Sequence, residues 1–224
     1  MKTPVLFINF KCYGEATGTR ALELAKKAEA VAGKSQGQIA LVVQAVDIRL
    51  VSEAVSLPVF AQHVDPVEYG SRTGHILPEA VKAAGAKGTV LNHAENKRDN
   101  AFLEKAIVRA HEAGLSVMVC AESRERAEQV AAFSEKPEFI AIEPPELIGG
   151  DISVSTAKPE LITDTVKAVK AVAEIPVITG AGIKNAADVR IALKLGTKGV
   201  FVASGIIKSQ DQEKAIIELV EGFR

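Results

Sequence analysis

The chain has no tryptophan, only two tyrosines and two methionines, and its two cysteines, Cys12 and Cys120, fall in no CxxC or CxxH spacing. This excludes a disulfide framework and a zinc site of ordinary ligand spacing. An excess of one charge is missing too: 27 Lys and Arg stand against 28 Asp and Glu, scattered rather than clustered. There is no basic footprint for nucleic acid or for an acidic membrane surface. No apolar run approaches the ~20 residues of a membrane span, and no signal-type apolar region precedes the strand pattern at Val5. These absences lead to the expectation of a soluble, unprocessed cytoplasmic protein without nucleic-acid or membrane partners.

What the chain does have is size and pattern. Its 224 residues are 47% hydrophobic, and a chain of this length buries roughly 70% of its unfolded surface around one large core. One domain, residues 1–224, is expected. Short β-branched runs alternate eight times with Ala-, Lys- and Glu-rich runs of helical period, which means parallel strands joined by crossover helices. Strands are predicted over 5–10, 39–44, 58–63, 88–93, 116–121, 138–143, 175–180 and 199–203. Helices are predicted over 16–32, 47–56, 77–84, 96–113, 123–133, 159–173, 185–195 and 211–222, with Gly85, Gly114 and Gly196 closing three of them. Eight units and no GxGxxG turn after the first strand favour a closed α/β barrel, (β/α)8, over an open doubly wound sheet.

Polar residues gather where the predicted strands end: Asn9, Lys11, Gln44, His63, His93, Glu143, Gly180 and Ser204. In such a barrel that end is the mouth where active sites are built. Asn9 and Lys11, two apart, are expected to leave the first strand on one side, towards the axis. His93 is followed at Glu95 and Asn96 by an expected helix start, whose N–H groups disfavour an imidazolium and leave a neutral donor. Each residue also has a plain reading: a solvated lysine, a structural histidine, a glutamate capping the next loop.

Glu143 carries the most information. It follows the apolar run Phe139-Ile140-Ala141-Ile142 and opens Glu143-Pro144-Pro145-Glu146-Leu147-Ile148-Gly149-Gly150, stiff at one end and loose at the other. A carboxylate on a closing lid fits that pattern. Moving a glutamate from about 4.3 to ~6–7, where a general base works, requires roughly 3 kcal/mol of desolvation. Glycine-bearing turns at Gly180-Ala181-Gly182 and Ala203-Ser204-Gly205 follow strands seven and eight, where barrels often bind phosphate. With Gly149 and Gly150 they would form one cradle of N–H groups. Cys120 reads as core packing, and Cys12 is assigned no role.

Asn9-Phe10-Lys11-Cys12-Tyr13-Gly14-Glu15, Leu91-Asn92-His93-Ala94-Glu95, the stretch 142–149, Ile178–Ile183 and Val202–Gly205 occur in this order over nearly the whole chain. Together they resemble triosephosphate isomerase of the short archaeal type. The resemblance implies a TIM barrel that interconverts dihydroxyacetone phosphate and D-glyceraldehyde 3-phosphate through an enediolate, in glycolysis and gluconeogenesis. Glu143 would be the base, His93 the neutral electrophile, Lys11 the cation, and Asn9 the group that orients Lys11 and the carbonyl. Ile148, Gly149, Gly182, Ala203 and Ser204 would line the phosphate and the closed lid. Tuned carboxylate acidity and lid closure are known features of that family rather than deductions from this chain. No metal or organic cofactor is implied. Assembly as a dimer of dimers, a homotetramer, is implied through the loop 64–76. Two departures stand out: Ala94 replaces the usual serine, a resting partner of the base, and Asp151 stands where the lid usually ends Gly-Thr-Gly. The competing expectation is a catalytically silent barrel that binds sugar phosphate as a sensor or scaffold.

Overall fold

The computed structural model describes residues 2–33, 37–144 and 157–224. Eight parallel strands close on themselves in chain order: β1 (Val5–Asn9), β2 (Gln38–Val43), β3 (Val59–Ala61), β4 (Gly88–Leu91), β5 (Ser116–Ala121), β6 (Phe139–Ile142), β7 (Val177–Gly180) and β8 (Gly199–Val202). Closure is made by β8 on β1, where Val5 pairs with Gly199 and Ile8 with Val202. The predicted (β/α)8 barrel is therefore present, each strand within about two residues of its expected position.

Helices α1 (Thr19–Ala32), α2 (Ile48–Ser52), α3 (Pro78–Ala83), α4 (Asn100–Glu112), α5 (Arg124–Ala131), α6 (Pro159–Val172), α7 (Ala186–Lys194), α8 (Ser204–Ile207) and α9 (Gln212–Glu221) lie among the described residues. Their ends follow local chemistry. Asp99, Ser123, Asn185 and Asp211 accept the N–H three residues on, and Pro78 and Pro159 take the first helical position. Gly85, Gly114 and Gly196 have φ of +105°, +74° and +101°. At each, two bonds complete a Schellman stop: Gly85 N–H to Lys82 and Ala86 N–H to Val81, with the same pattern at Gly114 and Gly196.

Two expectations need correction. α4 starts at Asn100 rather than 96, because the Arg98 N–H is taken by the Asn92 side chain (2.8 Å) and Asp99 caps the helix. α8 was not expected: after Ala203 the chain turns into four helical residues where a bare glycine turn was predicted.

Strand alternation divides the core into two layers. Leu6, Ile8, Leu41, Val43, Val119 and Ile140 pack outward under the helices. Val5, Phe7, Val42, Phe60, Met118, Cys120, Phe139, Ala141, Ile178 and Phe201 fill the barrel interior. Phe7 is its centre, with edge-on rings of Phe60 and Phe139 at 5.4 Å and Phe201 at 6.4 Å. Following the inward face one step beyond this plug leads to Asn9 after Phe7, Glu143 after Ala141 and Gly180 after Ile178, so the core's own register delivers polar groups to the mouth.

Phe7→Ala should lower the unfolding free energy by about 3–5 kcal/mol, seen as a lower urea midpoint at unchanged slope. A loss under about 1 kcal/mol would show that the aromatic plug is not the core's keystone.

Candidate active site

Asn9, the last residue of β1, is buried, and its Oδ1 accepts the N–H of Lys11 at 3.0 Å. That bond folds the chain back on itself, and Lys11 adopts φ +46°. The expected period-two relation between the two residues therefore stops at Asn9. Lys11 reaches the mouth through a left-handed turn, held by Gln62 Nε2 on its carbonyl at 2.8 Å. Its Nζ lies 2.6 Å from Oε1 of Glu95.

His93 arrives by a similar device. Strand alternation from inward Val90 would turn residue 93 outward, but Asn92 has φ +61° and is anchored by its Nδ2 on the Cys120 carbonyl at 2.8 Å. The chain direction changes and His93 faces the mouth. Its Nδ1 accepts the Glu95 N–H at 3.2 Å, so in the neutral ring the proton sits on Nε2. The Glu95 carboxylate, 3.5 Å from the same Nδ1, would favour a proton there, but the backbone N–H already occupies that lone pair. The nitrogen that faces the cavity is therefore set by one backbone N–H rather than by a helix start, since the helix begins later.

Nε2 of His93 faces Oε2 of Glu143 at 3.7 Å. Glu143 is 5% exposed, its N–H is fixed to the Ala121 carbonyl at 2.9 Å, and Oε2 makes no hydrogen bond among the described residues. Burial pushes the carboxyl above its ordinary 4.5, against the opposing pull of His93, a hydrogen bond with the Cys120 thiol and the charge of Lys11. In turn burial, then the Glu143 charge, push the Cys120 thiol well up, so it stays a neutral donor. Cys120 is core, as expected, and also touches the carboxylate. Its place as the last inward residue of the neighbouring strand, paired with Ala141, could have signalled this.

β7 and β8 supply the small residues. Gly180 ends β7, as the predicted strand 175–180 has it. Ala181 and Gly182 follow with φ +71° and +72°, a conformation that is strained at alanine. Ala203 caps α8 without a side-chain bond. A cavity of about 50 Å³ is lined by Asn9, Lys11, His93, Glu143, Gly182, Ala203 and Ser204, together with Tyr13, Ile183 and Lys184. Every predicted site residue among those described therefore faces one space. Ile148, Gly149 and Asp151 lie outside the described residues. A larger cavity of about 610 Å³ opens beyond Lys11 towards Gln44, Val46, Gln62 and His63. It shares Asn9, Lys11 and His93 but lacks Glu143, so the smaller space is where the chemistry converges. Among the described residues no group of three His, Cys, Asp or Glu side chains is placed to hold a metal, and no helix is long and apolar enough to cross a membrane.

Comparison with known proteins adds an independent line. Residues 4–221 match the family model described as triosephosphate isomerase. The chain is 46% identical to the triosephosphate isomerase of Methanothermus fervidus over 221 residues, 98% of this chain and 99% of the relative. It is 45% identical to that of Methanocaldococcus jannaschii over 218 residues, 97% and 99% of the two chains. It is 44% identical to that of Archaeoglobus fulgidus over 220 residues, 98% of each.

The upward shift at Glu143 has a definite sign in stability. A carboxyl whose folded pKa is raised stabilises the fold fully below its unfolded value and loses that contribution as pH rises through the folded value. Glu143→Gln should therefore be more stable than the wild type at neutral pH, with the gap shrinking as pH falls towards 4.5. Urea titrations of both proteins across this range read it, and a gap that widens in acid would contradict the assignment.

Proposed function

Because the chain belongs to the triosephosphate isomerase family, we propose that the convergence of Asn9, Lys11, His93 and Glu143 on one cavity performs this family's proton transfer. The protein is an isomerase that interconverts dihydroxyacetone phosphate and D-glyceraldehyde 3-phosphate, a step of glycolysis and gluconeogenesis. In this reading Glu143 takes a proton from C1 of the ketose and returns it to C2. A carboxylate held out of water is a stronger base than a solvated one. Negative charge grows on the two oxygens of the enediolate, and the Nε2 side of His93 donates a proton to O2 and takes the hydroxyl proton of O1, so the C1 hydroxyl becomes the aldehyde as C2 receives its hydrogen. A neutral imidazole suits this better than a cation, because its acidity is close to that of the enediol, so a proton can pass to the strongly basic enediolate oxygens and back without being trapped there.

Lys11 gives up Glu95 or shares it, and balances the charge of the substrate. Asn9 fixes the turn that aims Lys11. Gly182, Ala203 and Ser204, with no bulky side chains, let backbone N–H groups approach the phosphate. Ile148 and Gly149 complete that role from outside the described residues. These side chains and backbone groups fill each role without a cofactor. The observation that carries the reading is the placement of a buried carboxylate opposite an Nε2–H histidine beside a lysine.

Glu143→Gln removes the base and keeps the shape. In a coupled assay its kcat should fall by ~10²–10⁴-fold with a small change in KM. Equal rates for the two proteins would dispose of Glu143 as the base.

We also propose a cytoplasmic single-domain chain that assembles as a dimer of dimers through the loop 64–76. The loop is closed at its root by Asp65, whose N–H donates to the Ile76 carbonyl (2.9 Å) and whose Oδ2 accepts the Ile76 N–H (2.7 Å). Arg109 holds the Val67 carbonyl from α4 at 3.2 Å. Tyr69 on this loop is 76% exposed, and Val46 on the rim of the 610 Å³ cavity is 81% exposed. The tip of one copy seated in the cavity of another would cover both. Val46→Asp should then reduce the mass measured by light scattering, and an unchanged mass would argue against this seat.

A further inference from the structure

The last residue of β7 lies under the carboxylate, and its lack of a side chain has no local cause. Gly180 does not have a left-handed backbone, and it pairs regularly with Phe201 of β8 in the closed sheet. An L side chain is therefore compatible with its conformation, unlike Gly182. A Cβ added there would fall 2.3 Å from Cγ of Glu143, 2.6 Å from Oε1 and 2.7 Å from Cδ. All three nearest atoms belong to one side chain. These separations are far inside van der Waals contact, so the alanine methyl and the glutamate cannot both keep their places.

Glu143 is held on the barrel side. Its N–H is bonded to Ala121, it is almost wholly buried, and β5, carrying Cys120, is the strand beside β6 on the side away from β7. Displacement from β7 would push the carboxylate towards β5 and change its 3.7 Å relation to Nε2 of His93. We propose that Gly180 is a positioning residue, its missing side chain forming the seat that sets where the Glu143 carboxylate stands relative to His93. This rests on the reading of Glu143 as the base, and it goes beyond that reading by assigning the aim of the base to a residue that touches neither substrate nor proton.

The test is a double-mutant cycle read in stability and in rate. Gly180→Ala should lower the urea midpoint in the wild-type background. In the Glu143→Ala background, where the colliding atoms are gone, the same change should cost less than about a third as much. In the otherwise native enzyme, Gly180→Ala should lower kcat ~10–100-fold, with KM and inhibition by inorganic phosphate moving by less than about threefold. A purely structural glycine would cost equally in both backgrounds, and that result overturns the proposal, as does a kcat within about twofold of wild type. If Gly180→Ala alone does not fold, recovery of a folded protein in the double variant supports the seat, and failure of both overturns it. The stability cycle reads the contact whatever Glu143 does chemically, so full activity in Glu143→Gln would remove the catalytic reading without being confused with loss of the seat.

Discussion

Taking the Glu143 carboxylate out of water costs free energy unless nearby groups compensate its charge, and the arrangement of the barrel mouth follows from that cost. The side chain enters on the inward face of β6, directly above the interior layer that contains Phe139 and Ala141. Compensation is partial. Burial prevails and the carboxyl remains above its ordinary range, although His93, the Cys120 thiol and the charge of Lys11 favour the ionised form. A fully compensated carboxylate would be a poor base, and a fully exposed one would be hydrated. The intermediate condition is the useful one for abstracting a weakly acidic proton.

The other polar groups are arranged to leave Glu143 as the reactive one. Glu95 serves twice, giving its N–H to Nδ1 of His93 and its carboxylate to Lys11. One residue thereby orients the imidazole and holds the lysine. Asn92 serves His93 from the other side, bonding Cys120 and Arg98 through its side chain while its positive φ redirects the chain. Since Asn92 bonds the Cys120 carbonyl and Cys120 bonds Glu143, the donor and the base share a common support between β4 and β5. Ala94 supplies no hydroxyl to this network. The carboxylate has the thiol and the bare floor at Gly180 instead.

The barrel was legible because period two and period 3.6 alternate eight times without interruption, and because helix stops at Gly85, Gly114 and Gly196 depend on local backbone angles alone. Site positions were legible for a related reason: the inward face of each strand continues into the mouth, so Asn9 and Glu143 could be placed by counting. Counting failed where the backbone leaves the strand. Lys11 and His93 reach the cavity through left-handed residues at positions 11 and 92, which a non-glycine sequence does not announce. The start of α4 was misplaced because capping by Asp99 and capture of the Arg98 N–H by Asn92 override the helical pattern of 96–99. Cys120 and Gly180 were undervalued because their importance lies in contacts with Glu143 across the sheet. Such pairings depend on register, which no single segment contains.

The base stands ready in a dehydrated and only partly compensated state, and infrared difference spectroscopy tests this most directly. The protonated carboxyl C=O band present in the wild type and absent in Glu143→Gln should be followed against pH in the ligand-free protein. Titration of that band clearly above 4.5, the ordinary value, is the predicted result. Titration at or below that value would mean that Glu143 is solvated or fully paired at rest, and the account would fail.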